Sequence, residues 1–258
     1  MEPPTGRSAG LRMISAPLLA AVGEVGKGFV HKRTSGTLPC QARHEVFCFD
    51  WARNHIDRYA TPTLQHLELV VLSVLLGFAV AFALALVAHR TSWLRPPLLA
   101  ATGVLYTIPS LAFFFLLLPV TGLGRDTAII VLAAYTLQII YRNTILGLAN
   151  VPAPVKDAAR GMGLTDRQIL WRVELPLAMP EIIAGLRIAT VSTVAIATLA
   201  VFIGAGGLGT QIYGSGNLSF PTSIIIAATI AILMALALDA LLVTGQRLTT
   251  PWRKARTA

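Results

Sequence analysis

Charge is scarce in this sequence. Asp, Glu, Lys and Arg make up 13% of its 258 residues, where an ordinary soluble domain carries about 25%. Two long runs, Leu69 to Ala88 and Pro96 to Gly124, hold no charge at all. Such runs exclude a water-soluble globule. Cysteine is nearly absent too. Cys40 and Cys48 lack the spacing of a metal site, and no His pair completes one, His44 alone lying between them. They read as incidental thiols, and no metal is expected. No Ser/His/Asp set, paired carboxylate or H-E-x-x-H stands out, which argues against a membrane hydrolase. Nor does the chain carry a G-x-x-x-x-G-K-[ST] phosphate loop, so it is not expected to be an enzyme or to hold a cofactor.

Hydrophobic residues are abundant, at 55%. A bilayer core of ~30 Å takes about 20 apolar residues in a helix, and barrel strands would be short and alternating. The expected fold is therefore all-α and integral to the membrane, with about five transmembrane helices near 64–88, 97–118, 125–145, 179–203 and 222–246. Residues 1–48 read as a weakly structured extension. Its apolar stretch "ISAPLLAAVG" is too short to span, and Met13 offers a second start. Residues 49–247 read as the transmembrane domain, and 248–258 as a basic cytoplasmic tail.

The net charge of +9 does not indicate nucleic-acid binding, because the basic residues flank apolar segments as topology signals do. Arg90 and Arg95, then Lys156, Arg160, Arg167 and Arg172, then Arg247, Arg253, Lys254 and Arg256 fall in segments of one side. The opposite loops 119–126 and 204–221 hold only Arg125. The rule places the first set in the cytoplasm, the N-terminus outside and the C-terminus inside, with lipid head groups as neighbours. The basic residues of 1–60 disagree, but only Arg53 and Arg58 lie near the first helix.

Small residues recur at fourfold spacing: Ser73, Gly77, Ala81, Ala85; Gly185, Ala189, Thr193, Ala197; Ala227, Ala231, Ala235. Stripes of this kind let helix backbones approach in lipid. Asp239 continues the third stripe, so it should face protein and have a partner. Arg187 and Arg142, the interior charges of the fourth and third helices, are the candidates.

Between the third and fourth apolar segments lies a polar insert, 153–176, containing "DAARGMGLTDRQILWRVELP". Pro154 suits a first helical turn. Gly163 suits a left-handed stop. Thr165 and Gln168 have capping-box spacing for a second start, and Pro176 is expected to end that second helix. Helix, glycine turn and helix with an apolar face suit docking on another protein.

The insert resembles the EAA loop of bacterial ABC-transporter permeases, of the form E-A-A, three residues, Gly, nine residues, I-x-L-P. Asp157, Ala158, Ala159, Gly163, Val173, Leu175 and Pro176 fall on its positions, with Asp for Glu and Val for Ile. "YTIPSLAFFFLLLPVTGLG", "FIGAGGLGTQIYGSG", "RNTILGL" and "FDWARNHIDRYATPTLQHL" resemble the osmoprotectant permeases for glycine betaine, choline and carnitine. The resemblance implies an importer subunit in the bacterial cytoplasmic membrane. Its partners would be ATPase subunits that hold ATP and Mg, an extracytoplasmic substrate-binding protein, and a second permease, either a copy or a paralogue. It also implies that the matched residues, with Leu164, dock on the ATPase.

"GAGGLG", 204–209, is no dinucleotide loop, because it follows a membrane helix and not a strand. It reads as a tight turn beside the pathway. Aromatic faces hold quaternary ammonium groups, so Tyr106, Tyr135, Phe202 and Tyr213 are path candidates, with Pro109, Ser110, Gly206 and Gly207. "IGAGGLG" is shared with methionine-type permeases, which leaves another small solute open. A stand-alone ion-coupled transporter is the alternative from another class.

Overall fold

The computed structural model describes residues 46–213 and 221–250. The expected extension 1–48, apart from 46–48, and the tail beyond 250 lie outside the described residues. Every regular element among them is helical: α1 Phe49–Asn54, α2 Ala60–Arg90, α3 Arg95–Thr107, α4 Ser110–Thr121, α5 Arg125–Ala149, α6 Ala153–Gly161, α7 Asp166–Ile169, α8 Leu175–Ala197, α9 Gly209–Tyr213 and α10 Pro221–Thr249. Four stretches are long and apolar enough to cross a membrane: Ile56–Arg90, Arg125–Ala149, Asp166–Ile203 and Pro221–Leu248.

The second apolar run departs from the expected straight helix. It forms α3 and α4, bent 99° at a break. Pro109 has no N–H to continue the ladder, and it pushes the preceding residue out of the helical region. Ile108 accordingly sits at φ −65°, ψ 129°. Backbone at membrane depth must still be satisfied, and the Tyr135 hydroxyl donates to the Ile108 carbonyl. The bent pair makes one crossing. Arg95 at its start bonds to His89 at the end of α2, whereas Arg125 just beyond it pairs with Glu68 near the other end, at 2.6 Å. Four long stretches and one broken one give five crossings.

Packing follows the small-residue stripes. α5 packs on both α2 and α8, which also touch each other, and α10 packs on α8. Ser73, Ala81 and Ala85 of α2 are wholly buried. A Cβ on Gly77 would lie 1.7 Å from Thr136 Oγ1, so the two backbones meet where no larger residue fits. Gly185 approaches Asn143 of α5 in the same way, its added Cβ falling 2.5 Å from the Asn143 Cβ. In lipid, close van der Waals contact of this kind replaces the hydrophobic drive available in water. The main cluster joins Leu69, Phe114, Leu132, Val194 and Ile203. A second cluster joins Leu148, Leu170, Leu175 and Ile182 below the insert.

Pro176 does not end the second helix of the insert. A continuous 38-residue stretch runs from Asp166 to Ile203, and Pro176 sits in the first turn of α8, where its missing N–H is tolerated. A π-helical turn, Leu170–Glu174, joins α7 to α8. The Leu175 N–H bonds the Leu170 carbonyl across that wider turn. At 1.5 Å per residue the stretch is about 57 Å long, well beyond a ~30 Å core, so its charged first part projects from the bilayer.

Candidate functional site

The insert is built by local turn chemistry. Pro152 precedes α6 and Pro154 lies in its first turn. Gly163 takes φ +81°. Its N–H bonds the Arg160 carbonyl at 2.9 Å, and the Leu164 N–H bonds the Ala159 carbonyl at 3.2 Å. These two bonds close a Schellman motif, which satisfies the last carbonyls of α6. Thr165 then opens α7 with a full capping box: its side chain receives the Gln168 N–H, and Gln168 Oε1 receives the Thr165 N–H at 2.8 Å. The turn is therefore fixed at both ends.

The insert has two faces. Asp157, Ala158 and Gly163 are exposed and Leu164 is half-buried. Exposed apolar side chains surround them: Val155, Met162 (72% exposed) and Trp171 (52%). Arg172, Val173, Pro176 and Leu177 line a shallow hollow on the same segment. Ala159 differs from its neighbours. It is 2% exposed, because α6 needs a small residue where it packs on α7 and the π-helical turn; Leu175 is buried too. A helix periodicity places Ala159 about 100° from Ala158, and only the packing decides which of the two looks outward.

The inner face is held by ions. Glu174, 7% exposed, receives Lys156 Nζ on Oε1 at 2.8 Å and His89 Nε2 on Oε2 at 2.7 Å. Arg95 NH2 lies 3.4 Å from His89 Nδ1. A guanidinium only donates, so His89 presents its lone pair there and its Nε2–H to Glu174. Arg95 also serves the Ala88 and His89 carbonyls, capping the C-terminal end of α2 where a cation is favoured.

The path candidates separate into two groups. Tyr106, Pro109, Ser110 and Tyr135 gather at the α3–α4 break. The Tyr135 ring stands edge-on to Tyr106 and to Phe113, each at 5.8 Å. Tyr135 is buried and Tyr106 exposed. Phe202, Gly206 and Gly207 lie between α8 and α9 and Tyr213 ends α9; the Phe202 and Tyr213 rings meet at 4.9 Å. Gly206 and Gly207 take φ +80° and +81°, and an added Cβ would fall 2.6 Å from Gln65 Oε1 and 3.1 Å from His66 Nδ1 respectively. Those two side chains hold the turn: Gln65 accepts the Gly207 N–H at 3.2 Å and His66 Nδ1 accepts the Leu208 N–H at 3.3 Å. His66 Nε2–H donates to the Val194 carbonyl at 3.0 Å. The imidazole, fully buried, thus pins the turn to the C-terminal end of α8.

Asp239 meets Arg187 in a two-pronged pair, Nε to Oδ1 at 2.7 Å and NH2 to Oδ2 at 2.9 Å. Arg142 is exposed and makes no ion pair among the described residues. Cys48 is no incidental thiol; it is disulfide-bonded, and its backbone N–H bonds Thr222 Oγ1.

Several functional-looking residues escaped the sequence: His89, Arg95 and Glu174 at the insert, Gln65 and His66 at the glycine turn. Glu174 and His89 stand 85 positions apart, and nothing in the sequence singles out either one.

The family model for the binding-protein-dependent transport system inner membrane component matches residues 73–254. The choline transport system permease protein OpuBB of Bacillus subtilis is 35% identical over 189 residues, covering 73% of this chain and 87% of its own. The osmoprotectant import permease protein OsmW of Salmonella typhimurium is 38% identical, covering 74% and 92%. The carnitine transport permease protein OpuCB of Listeria monocytogenes is 38% identical, covering 69% and 81%. Among solved structures, inward-facing MetNI methionine ABC transporter superposes with a TM-score of 0.69 at 21% identity, covering 74% of this chain and 96% of that one. An amino acid ABC transporter solved with histidines gives 0.63 at 21%, covering 78% and 98%. The last two establish the fold. Taken with the insert's turn chemistry and the five crossings, the family match makes this chain an ABC-transporter permease, a member of the binding-protein-dependent transport system inner membrane components.

Proposed function

We propose that the chain translocates a compatible solute with a quaternary ammonium group, of the glycine betaine, choline or carnitine kind. A separate binding protein delivers the solute, separate ATPases supply the energy, and a second permease completes the pathway. The observation that carries this reading is the insert: a turn capped at both ends that presents Val155, Ala158, Met162 and Trp171 outward from a membrane domain. The outward apolar side chains suit a groove on a soluble partner. Choline, carnitine and osmoprotectant permeases among the relatives support the solute class.

In this reading Asp157, Ala158, Gly163, Leu164, Val173 and Pro176 meet the ATPase, while Ala159 and Leu175 seat the insert on the helices. The break at Ile108–Pro109 and the Gly206–Gly207 turn border the path, with Tyr106, Phe202 and Tyr213 offering aromatic faces. The insert is cytoplasmic, and the end bearing Cys48, Arg125 and the glycine turn is outside. Disulfides persist in oxidising compartments, which agrees with that placement of Cys48, as does the crowding of basic residues at the insert end.

The test is uptake. Proteoliposomes holding the permease, its ATPase and its binding protein should accumulate labelled glycine betaine, choline or carnitine only with ATP inside. Accumulation of methionine in place of these solutes, or ATP-independent uptake, would overturn the reading.

A further inference from the structure

We infer that Glu174 is the positioning residue through which a displacement of the insert reaches the membrane helices. The inference rests on the reading that the insert docks on an ATPase, and it adds the load path. A carboxylate as buried as Glu174 is tolerated only when its oxygens are served. Each oxygen has its own cation or donor, and the two come from different elements: Lys156 from α6, His89 from the last turn of α2. From His89 the chain of bonds continues to Arg95 at the start of α3. The Arg95 carbonyl in turn receives the Tyr141 hydroxyl of α5 at 3.2 Å. One connected set of polar contacts therefore runs from the docking helix to α2, α3 and α5.

The geometry suits transmission better than anchorage alone. Apolar contacts between α6 and its neighbours can slide, whereas charge-assisted bonds hold a direction. The π turn that carries Glu174 adds a residue to the helix and turns the carboxylate inward, away from the docking face. π turns of this kind are frequent at functional positions. The bridge ends at the α2–α3 corner, and α3 leads directly to the break at Ile108–Pro109. A push on α6 is thus delivered to the helix whose bend borders the proposed path.

The test uses the complete transporter, with its ATPase and binding protein, reconstituted in lipid. Glu174→Gln and Lys156→Met should retain the ATPase in wild-type ratio. Both should lose stimulation of hydrolysis by solute-loaded binding protein, and solute moved per ATP should fall about tenfold. Lys156→Arg keeps the charge and should restore both. Lys156 is partly exposed, so its replacement leaves no deep cavity and the test survives if Glu174→Gln fails to assemble. Wild-type coupling in Lys156→Met would overturn the inference. So would a loss of thermal stability and ATPase retention in Lys156→Met that Lys156→Arg shares, since that describes a structural brace. Ala158→Arg, on the outward face, is measured in parallel. Its normal retention of the ATPase would fault the docking reading itself, whereas its loss alongside a fully coupled Lys156→Met would fault only the bridge.

Discussion

Arg187 and Asp239 illustrate how one residue pair can hold two membrane helices. Their side chains are 34% and 28% exposed in the single chain, and both lie within helices long and apolar enough to cross a membrane. A carboxylate with its partner removed, or a guanidinium left alone, is expensive there. Asp239→Asn should therefore lower the yield of assembled, monodisperse permease more than the double change Arg187→Gln with Asp239→Asn. The stability lost should fall below the ~3–5 kcal/mol of a fully buried broken pair. Equal yields from both variants in size-exclusion chromatography would show that the pair carries no weight. The position of Asp239 was readable from its place after Ala227, Ala231 and Ala235. The choice between Arg187 and Arg142 was not, because α5 and α8 both border the bundle and periodicity does not say which turns its Arg toward α10. His66 and Gln65 were unreadable for the same reason. Their partners, Val194, Gly207 and Leu208, lie far along the chain, and a lone His at the start of an apolar helix gives no hint of them.

At the scale of elements, the insert was the most readable part. Each of its signals acts over only a few neighbouring residues: Pro154 at a first turn, Gly163 at a left-handed stop, Thr165 with Gln168 as a cap. Replacing Gly163 by Leu puts a Cβ into that left-handed position at a cost of about 1–2 kcal/mol. The space around Gly163 is open, so the penalty is conformational rather than a clash. The variant should reach the membrane at normal levels, keep its transmembrane packing, and bind the ATPase more weakly. Unchanged ATPase affinity in a pull-down titration would show that the turn geometry is dispensable. Two features went the other way. The run 97–118 read as one helix because hydropathy sums over the break, although Pro109 marks it. Pro176 read as a stop because a proline usually is one; it falls instead in the first turn of α8, where the missing N–H is tolerated. Ala159 was assigned to the docking face with Ala158 because the motif names both. Burial separates them, and burial is set by what lies under α6.

At the scale of the whole molecule, the two ends of the bundle differ in chemistry. One end gathers Arg90, Arg95, Lys156, Arg160, Arg167 and Arg172 around the insert. The other holds the Glu68–Arg125 pair, the glycine turn and the disulfide-bonded Cys48. The orientation proposed above rests on this basic excess. In a background without Cys40 and Cys48, Leu123→Cys, 73% exposed, should react with an impermeant thiol reagent on intact cells. Arg160→Cys should react only after the membrane is opened. The reverse pattern would invert the molecule. Two positions that the loop charges also assign, Gly214 outside and Arg256 inside, lie outside the described residues.

The central claim is that the outward face of the insert is where the ATPase attaches. Ala158→Arg tests it most directly. Ala158 is exposed, so the longer charged side chain costs the permease fold little, while it obstructs a docked partner by size and charge. Co-purification of the ATPase with the tagged permease from membranes is the measurement. The account predicts that Ala158→Arg reaches the membrane at wild-type levels and brings down little or no ATPase. Wild-type amounts of ATPase on the Ala158→Arg permease, with uptake intact, would contradict it.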